Sequence, residues 1–235
     1  MIKELALTAI MATTLTTPPA EAKVNIGKSD ISLKSDLMTP EALWAMGRIG
    51  GVAASPDGSK IAYTVSYYSV KENASHTVIY VMNADGTDNR QLTTSADSEN
   101  EPAWVQTANG TVLAFITNGQ IWTMNADGSN RKQLTKDDDG IEGFKFSPDG
   151  KQVIIVKSLP FHEIIQKNPD DLPKATGRKI TDLMYRHWDH YVESIQHPFL
   201  ASVSEDGTIA TANAKDILAG EPYECPGEPF GGRSR

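Results

Sequence analysis

From Lys60 the chain alternates apolar and polar positions in KIAYTV, and similar runs return as TVIYVMN, TVLAFIT, QIWTMN and QVIIVK. A period near two over five to eight residues marks a strand with a buried face. Every run is bounded by a tight-turn signal. Ser-Pro-Asp-Gly at Ser55 and Ser147, and Asn-Gly at Asn109, precede a strand; Ala-Asp-Gly at Ala84 and Ala126 follows one. Asp-Gly and Asn-Gly accept the positive φ that short hairpin turns need.

These elements recur. YVMNADGTDNRQLT starts at Tyr80 and IWTMNADGSNRKQLT at Ile121, so that Met82 matches Met124 and Leu92 matches Leu134, a step of about 42 residues. SPDGSKIAYTV at Ser55 and SPDGKQVIIVK at Ser147 interleave with them, and AWVQTANGTVLAFIT is a degenerate copy with Val105 where the Ser would sit. Four short strands in about 42 residues make one propeller blade. A β-sandwich has no reason to repeat its turn chemistry at a fixed step. The pattern therefore predicts an all-β fold: a partial, unclosed β-propeller of about three to four four-stranded blades over residues 48–235, after a lead-in at 23–47. Trp44, Trp104 and Trp122 are expected to pack between blades.

The copies blur after Lys157. Residues of about 158–198 read as a long insertion between two strands of the third blade, with FHEIIQKN and GRKITDLMYRHWDHYV as short helices or irregular loops. Long insertions in repeat folds lie on one face and are often functional. Lys215 to Leu218 reads as a blade end, and GEPYECPGEPFGG as a Pro/Gly-rich connector. Propellers close with about four to eight blades, so the chain is expected to be part of a longer protein.

Composition changes this picture little. The 235 residues carry a net charge of -8, and 39% of them are hydrophobic, enough for a core. No Lys/Arg-rich block is present, so nucleic acid is not expected as a partner. Residues 1–22 read as a signal peptide: Lys3, an apolar stretch from Leu5 to Leu15, and Ala20-Glu21-Ala22 as the cleavage site. This predicts export to the periplasm or beyond. That stretch is too short to span a bilayer, and no later run reaches the ~20 apolar residues required. Cys225 is the sole cysteine, so no internal disulfide is expected, and its neighbours Glu224 and Pro226 do not activate a thiolate. The acidic run KDDDGIEGF, from Lys136, lacks the alternating spacing of a calcium loop and reads as solvated. No cofactor and no metal are expected.

YRHWDHYVES, from Tyr185, is the chain's richest stretch of reactive side chains. His187 and His190 with Asp189 have the i, i+3 spacing that can share one helix face as metal ligands. A His-Asp dyad would lack a nucleophile. In a substrate-facing reading, Asp189 or Glu193 meets a peptide ammonium, Arg186 meets a carboxylate, and Trp188 or Tyr191 stacks. In a packing reading, Arg186 pairs with Asp189 while Tyr185, Trp188 and Tyr191 are buried. Arg186, Trp188, Asp189, Tyr191 and Glu193 are the candidate substrate-binding residues.

LMTPEALWAMGRIGGVAASPDGSKIAYTVSYYSV, the paired MNADG blades, FKFSPDGK, DDLPKATGRKITDLMYRHWDHYVES and GEPYECPGEPFGG, in this order, resemble the N-terminal propeller of exported bacterial peptidases. The family is the prolyl oligopeptidase family of serine peptidases, on its dipeptidyl-peptidase/acylaminoacyl-peptidase branch. The resemblance runs from about Asp36 to Gly232. It implies a propeller that covers a C-terminal α/β-hydrolase domain with a Ser, an Asp and a His, filters peptide substrates by size and lines the chamber. It also implies acidic or amide groups that hold a peptide's free amino terminus in dipeptidyl peptidases. The Gly-x-Ser-x-Gly nucleophile elbow is missing here: Gly232-Arg233-Ser234-Arg235 follows a connector rather than a strand. No catalytic residue is assigned, and this chain alone is expected not to hydrolyse peptides. The other function class that fits the blades is a stand-alone TolB-like propeller that binds protein or peptide.

Overall fold

The computed structural model describes residues 26–32, 35–107, 110–161, 165–166, 174–177, 179–181, 186–187 and 190–225. Five Asp-Gly turns set its grain. Asp57, Asp85, Asp127, Asp149 and Asp206 each accept a hydrogen bond from the backbone N–H two residues on, at 2.9–3.1 Å. The glycine after each aspartate has a φ between +69° and +88°, which costs glycine little. Hydroxyls close the same turns. Those of Ser55 and Ser59, with the Ser59 N–H, hold the exposed Asp57 carboxyl down to about 2.

These turns join antiparallel strands into four-stranded sheets. A short helix α1 (Pro40–Ala45) precedes the first, with Thr39 Oγ1 capping the Ala42 N–H at 3.2 Å. Blade 1 is β1 (Arg48–Ala54), β2 (Lys60–Ser69), β3 (Ala74–Asn83) and β4 (Arg90–Gln91), in that order. Blade 2 is β5 (Asn100–Thr107), β6 (Gly110–Thr117), β7 (Gln120–Met124) and β8 (Lys132–Gln133). Blade 3 begins with β9 (Gly143–Phe146) and β10 (Gln152–Pro160). Four two-residue strands then follow: β11 (Ile165–Gln166), β12 (Lys179–Ile180), β13 (Arg186–His187) and β14 (His190–Tyr191). Blade 3 resumes with β15 (Ser194–Ser202) and β16 (Lys215–Asp216), giving the order β16-β15-β10-β9. The expected unclosed arc of four-stranded blades is therefore present, with three blades among the described residues.

The insertion is shorter at both ends than expected. β10 and β15 pair without a break from Gln152↔Ser202 to Pro160↔Ser194. Residues 158–160 and 194–198 thus belong to the sheet, and the excursion is 161–193. The Phe161 N–H donates to the Glu193 carbonyl at 2.8 Å and closes its neck. A fifth turn, Ser204 to Thr208, repeats the Asp-Gly geometry where the sequence copies had blurred.

The core sits between blades. Leu113 and Phe115 on one face of β6, with Met124, meet Ala62 and Ile79 of blade 1. Ile116 on the opposite face, with Ile121 and Leu134, meets Val153, Ile155 and Ala201 of blade 3. Blade 2 is covered on both sides, so TVLAFIT is nearly continuous in apolar residues rather than alternating. Trp104 and Trp122 pack into the first interface as expected, and Trp104 Nε1 donates to the Ala53 carbonyl at 3.1 Å. Trp44 does not pack between blades. It is 41% exposed and meets Tyr68 edge-on at 5.5 Å, because α1 lies over the end of β2.

The lead-in covers the far face of blade 1. Ile26 packs on Val65, Tyr67 and Val78, and its carbonyl lies 3.0 Å from Nδ1 of the buried His76. Burial, reinforced by the hydrogen bond to the Tyr80 hydroxyl, pushes the Tyr67 phenol well above its ordinary range.

Candidate functional site

The topology sorts the connections onto two ends of the arc. The Asp-Gly turns all lie at one end, and they stack from blade to blade. Arg90 donates to the Ala126 carbonyl at 3.3 Å, Lys132 Nζ donates to the Asp206 carbonyl, and Gly150 sits against the Gln106 carbonyl. The opposite end carries the longer connections: α1 and the start of β1, the loops 93–99 and 134–142, the turn at Asn118-Gly119, and the insertion. They too are tied together. The Ile141 N–H donates to the Gly119 carbonyl at 2.8 Å, and Asn118 Nδ2 donates to Asp97 at 2.7 Å. Long connections on a rigid scaffold are where binding groups usually sit.

Among its described residues the insertion carries two short β ladders, where short helices or irregular loops were expected. β11 pairs with β12 through Ile165↔Ile180 and Gln166↔Lys179. β13 pairs with β14 through Arg186↔Tyr191 and His187↔His190. His187 and His190, three apart in the chain, are therefore partners across a β ladder rather than neighbours on one helix face. Trp188 and Asp189, together with Tyr185, lie outside the described residues. Of the candidate substrate-binding residues, Arg186 and Tyr191 are brought opposite one another on neighbouring strands. Tyr191 is half-buried, and Glu193 is exposed at the neck.

Three charged groups escaped sequence reasoning. The run after Lys136 is not simply solvated. The Asp137 side chain is 5% exposed and takes the Lys157 ammonium at 2.8 Å, while Asp139 stays in solvent 3.8 Å from the same ammonium. Burial pushes the Asp137 carboxyl up, but hydrogen bonds from Lys157 and Thr211 and the Lys157 charge outweigh it and hold the group below the usual range. Between blades 1 and 2, the fully buried Glu99 takes Arg131 Nη1 at 2.5 Å and the Ser95 hydroxyl at 2.8 Å. The Arg131 guanidinium also lies 4.7 Å from the Phe115 ring centre and 5.2 Å from that of Trp122. At the start of β1, the Arg48 guanidinium lies 4.4 Å from the Tyr68 ring centre and 5.0 Å from that of Trp44. The only sequence signal for this third group was LWAMGR with Tyr67-Tyr68 downstream, which reads equally well as packing.

No family model matches the chain. Over 199 residues, 83% of the chain, it is 48% identical to dipeptidyl-peptidase 5 of Porphyromonas gingivalis. This likeness is consistent with an N-terminal propeller fragment of a prolyl oligopeptidase family peptidase. A second relative, dipeptidyl-peptidase 5 of Porphyromonas endodontalis, is 34% identical over 239 residues, 99% of the chain. The chain spans only 28% and 34% of the lengths of these two relatives. Among solved structures, the acylaminoacyl peptidase of Pyrococcus horikoshii superposes on 74% of the chain with a TM-score of 0.51 at 11% identity, covering 25% of that protein. That likeness shows the propeller fold. No helix among the described residues is long and apolar enough to cross a membrane.

Proposed function

We propose that the chain is the propeller portion of an exported serine peptidase that removes dipeptides from peptide substrates, with the propeller gating and positioning the substrate. The 48% identity to dipeptidyl-peptidase 5 of Porphyromonas gingivalis carries this reading. The arrangement of the arc supports it. The Asp-Gly turns occupy one end, which leaves the insertion, the loop 134–142 and the Arg48 cluster together at the other as one wall of a substrate chamber. In this reading Glu193, exposed at the insertion neck, and Asp189 are the carboxylates offered to a peptide ammonium. Arg186 and Tyr191, opposed in β13–β14, and Trp188 complete the contact. The nucleophile, its His and its Asp belong to a hydrolase domain outside this chain.

The test is expression of the reading frame extended past codon 235, with dipeptidyl-p-nitroanilide substrates. Release of dipeptide, abolished by replacing the Ser of a downstream Gly-x-Ser-x-Gly, is the expected result. A frame with no such elbow and no dipeptide release sinks the proposal and leaves a propeller that only binds.

A further inference from the structure

Arg131 and Arg48 are built alike. Each lays its guanidinium over two aromatic rings, at 4.7 and 5.2 Å for Arg131 and at 4.4 and 5.0 Å for Arg48. Arg131 completes the arrangement with the Glu99 carboxylate at its edge. Arg90 likewise has Asp88, at 3.5 Å. Arg48 has the ring contacts and no carboxylate among the described residues. Ring faces attract a cation but leave the in-plane N–H donors of a guanidinium unused. Those donors match a carboxylate two by two.

The cage around Arg48 is set before any ligand arrives. Trp44 stands edge-on to Tyr68 at 5.5 Å, α1 is capped by Thr39, and Arg48 is fixed at the head of β1 by pairing with Ser66. A side chain already held in place loses less entropy on binding. Exposed apolar residues are its neighbours in the chain: Leu43 at 47%, Met46 at 44% and Ile49 at 71%. The site also lies at the arc end that carries the insertion.

We infer that Arg48, held between Trp44 and Tyr68, is a carboxylate-binding site that takes the C-terminal carboxylate of a peptide. The location of that peptide in a chamber rests on the peptidase reading; the binding chemistry does not. The remainder of the longer polypeptide is the other source of a carboxylate, and the two are separable.

The test titrates the chain with tetra-alanine bearing a free C-terminal carboxylate and with its C-terminal amide, while following the Arg48 Nε–H resonance and the affinity. The free acid is expected to shift that resonance and to bind roughly tenfold tighter than the amide, as a charge-assisted pair does. Arg48→Gln removes the preference, and Arg48→Lys restores it only in part, because an ammonium offers no fork. Equal binding of acid and amide, or a preference that survives Arg48→Gln, overturns the site. If neither peptide binds, the peptide source fails. The Arg48 resonance is then compared between this chain and the extended polypeptide: a shift found only in the longer protein places one of its own carboxylates on Arg48, and no shift in either overturns the carboxylate site. These readouts need no catalysis. Loss of dipeptide release with the titration intact therefore counts against the peptidase reading alone.

Discussion

Arg131→Met isolates the buried charge between blades 1 and 2. The Glu99 side chain is 0% exposed, and its Oε1 is held by Arg131 at 2.5 Å and by Ser95 at 2.8 Å. Its Oε2 has no partner among the described residues. Removing Arg131 leaves a carboxylate in the interface with one hydroxyl to meet it, a change that costs about 3–5 kcal/mol in comparable buried pairs. The reverse change is milder. Arg131 is 31% exposed, so in Glu99→Gln its guanidinium reaches water and the amide oxygen still accepts from Ser95; about 1–3 kcal/mol is expected. The double variant should cost less than the sum of the singles by about 2 kcal/mol, because no unpaired buried charge remains. Urea unfolding followed by tryptophan fluorescence reads all four proteins, with the m-value checked for constancy. If Arg131→Met costs less than Glu99→Gln, or if the two changes simply add, the pair is not the buried charge contact described here.

Two glycines with the same backbone should answer differently to alanine. Gly150 has φ +69° and a Cβ there would lie 2.3 Å from the Gln106 carbonyl oxygen, whereas Gly58 has φ +70° and open space. Gly58→Ala should cost about 1 kcal/mol for the left-handed backbone alone, and Gly150→Ala clearly more, as measured by thermal unfolding. The Asp137 carboxyl is held low in the folded chain. Its contribution to stability is therefore complete above the unfolded carboxylate value of about 3.9 and is lost as pH falls through the lower folded value. Asp137→Asn should accordingly narrow the gap to wild type under acid and widen it at neutral pH; a pH-independent gap in urea midpoints contradicts the assignment. Replacing residues 161–193 by Asn-Gly should keep the β10–β15 ladder, visible as unchanged amide-exchange protection at Ile155 and Phe199, while abolishing any peptide response that depends on the insertion.

What the sequence disclosed followed from locality. Asp57 and Asp149 make turns with hydroxyls two residues away, so SPDG and its neighbours reveal hairpins, and the recurrence of Met82 as Met124 reveals the blade. TVLAFIT reads as an alternating strand, and only the packing of blades 1 and 3 against it explains why its run is nearly unbroken in apolar residues. What stayed hidden depends on partners distant in the chain. Asp137 looks like one of three solvated aspartates until Lys157 of the next sheet is placed against it. Trp44 shares its residue type with Trp104, but only tertiary placement separates a residue between blades from one lying over a strand end. The insertion boundary was misjudged because Ser158-Leu159-Pro160 lacks strand chemistry of its own. It pairs because β15 lies alongside. Arg186 and Tyr191 come opposite one another only through the pairing of β13 with β14, which no pattern in that stretch announces.

The unbroken β10–β15 ladder across residues 161–193 also fixes an order of assembly. β2–β3 and β6–β7 join through short turns and can form as soon as they leave the ribosome. β10 must wait for Ser194 and beyond, and closing so long a loop costs about 2 kcal/mol more than closing a tight turn. Nucleation therefore belongs to the first two blades, and the third docks afterwards onto Ile116 and Ile121, an already formed template. Substitutions in the β10–β15 ladder should then speed unfolding more than they slow folding, whereas those at Leu113 or Ile79 should slow folding.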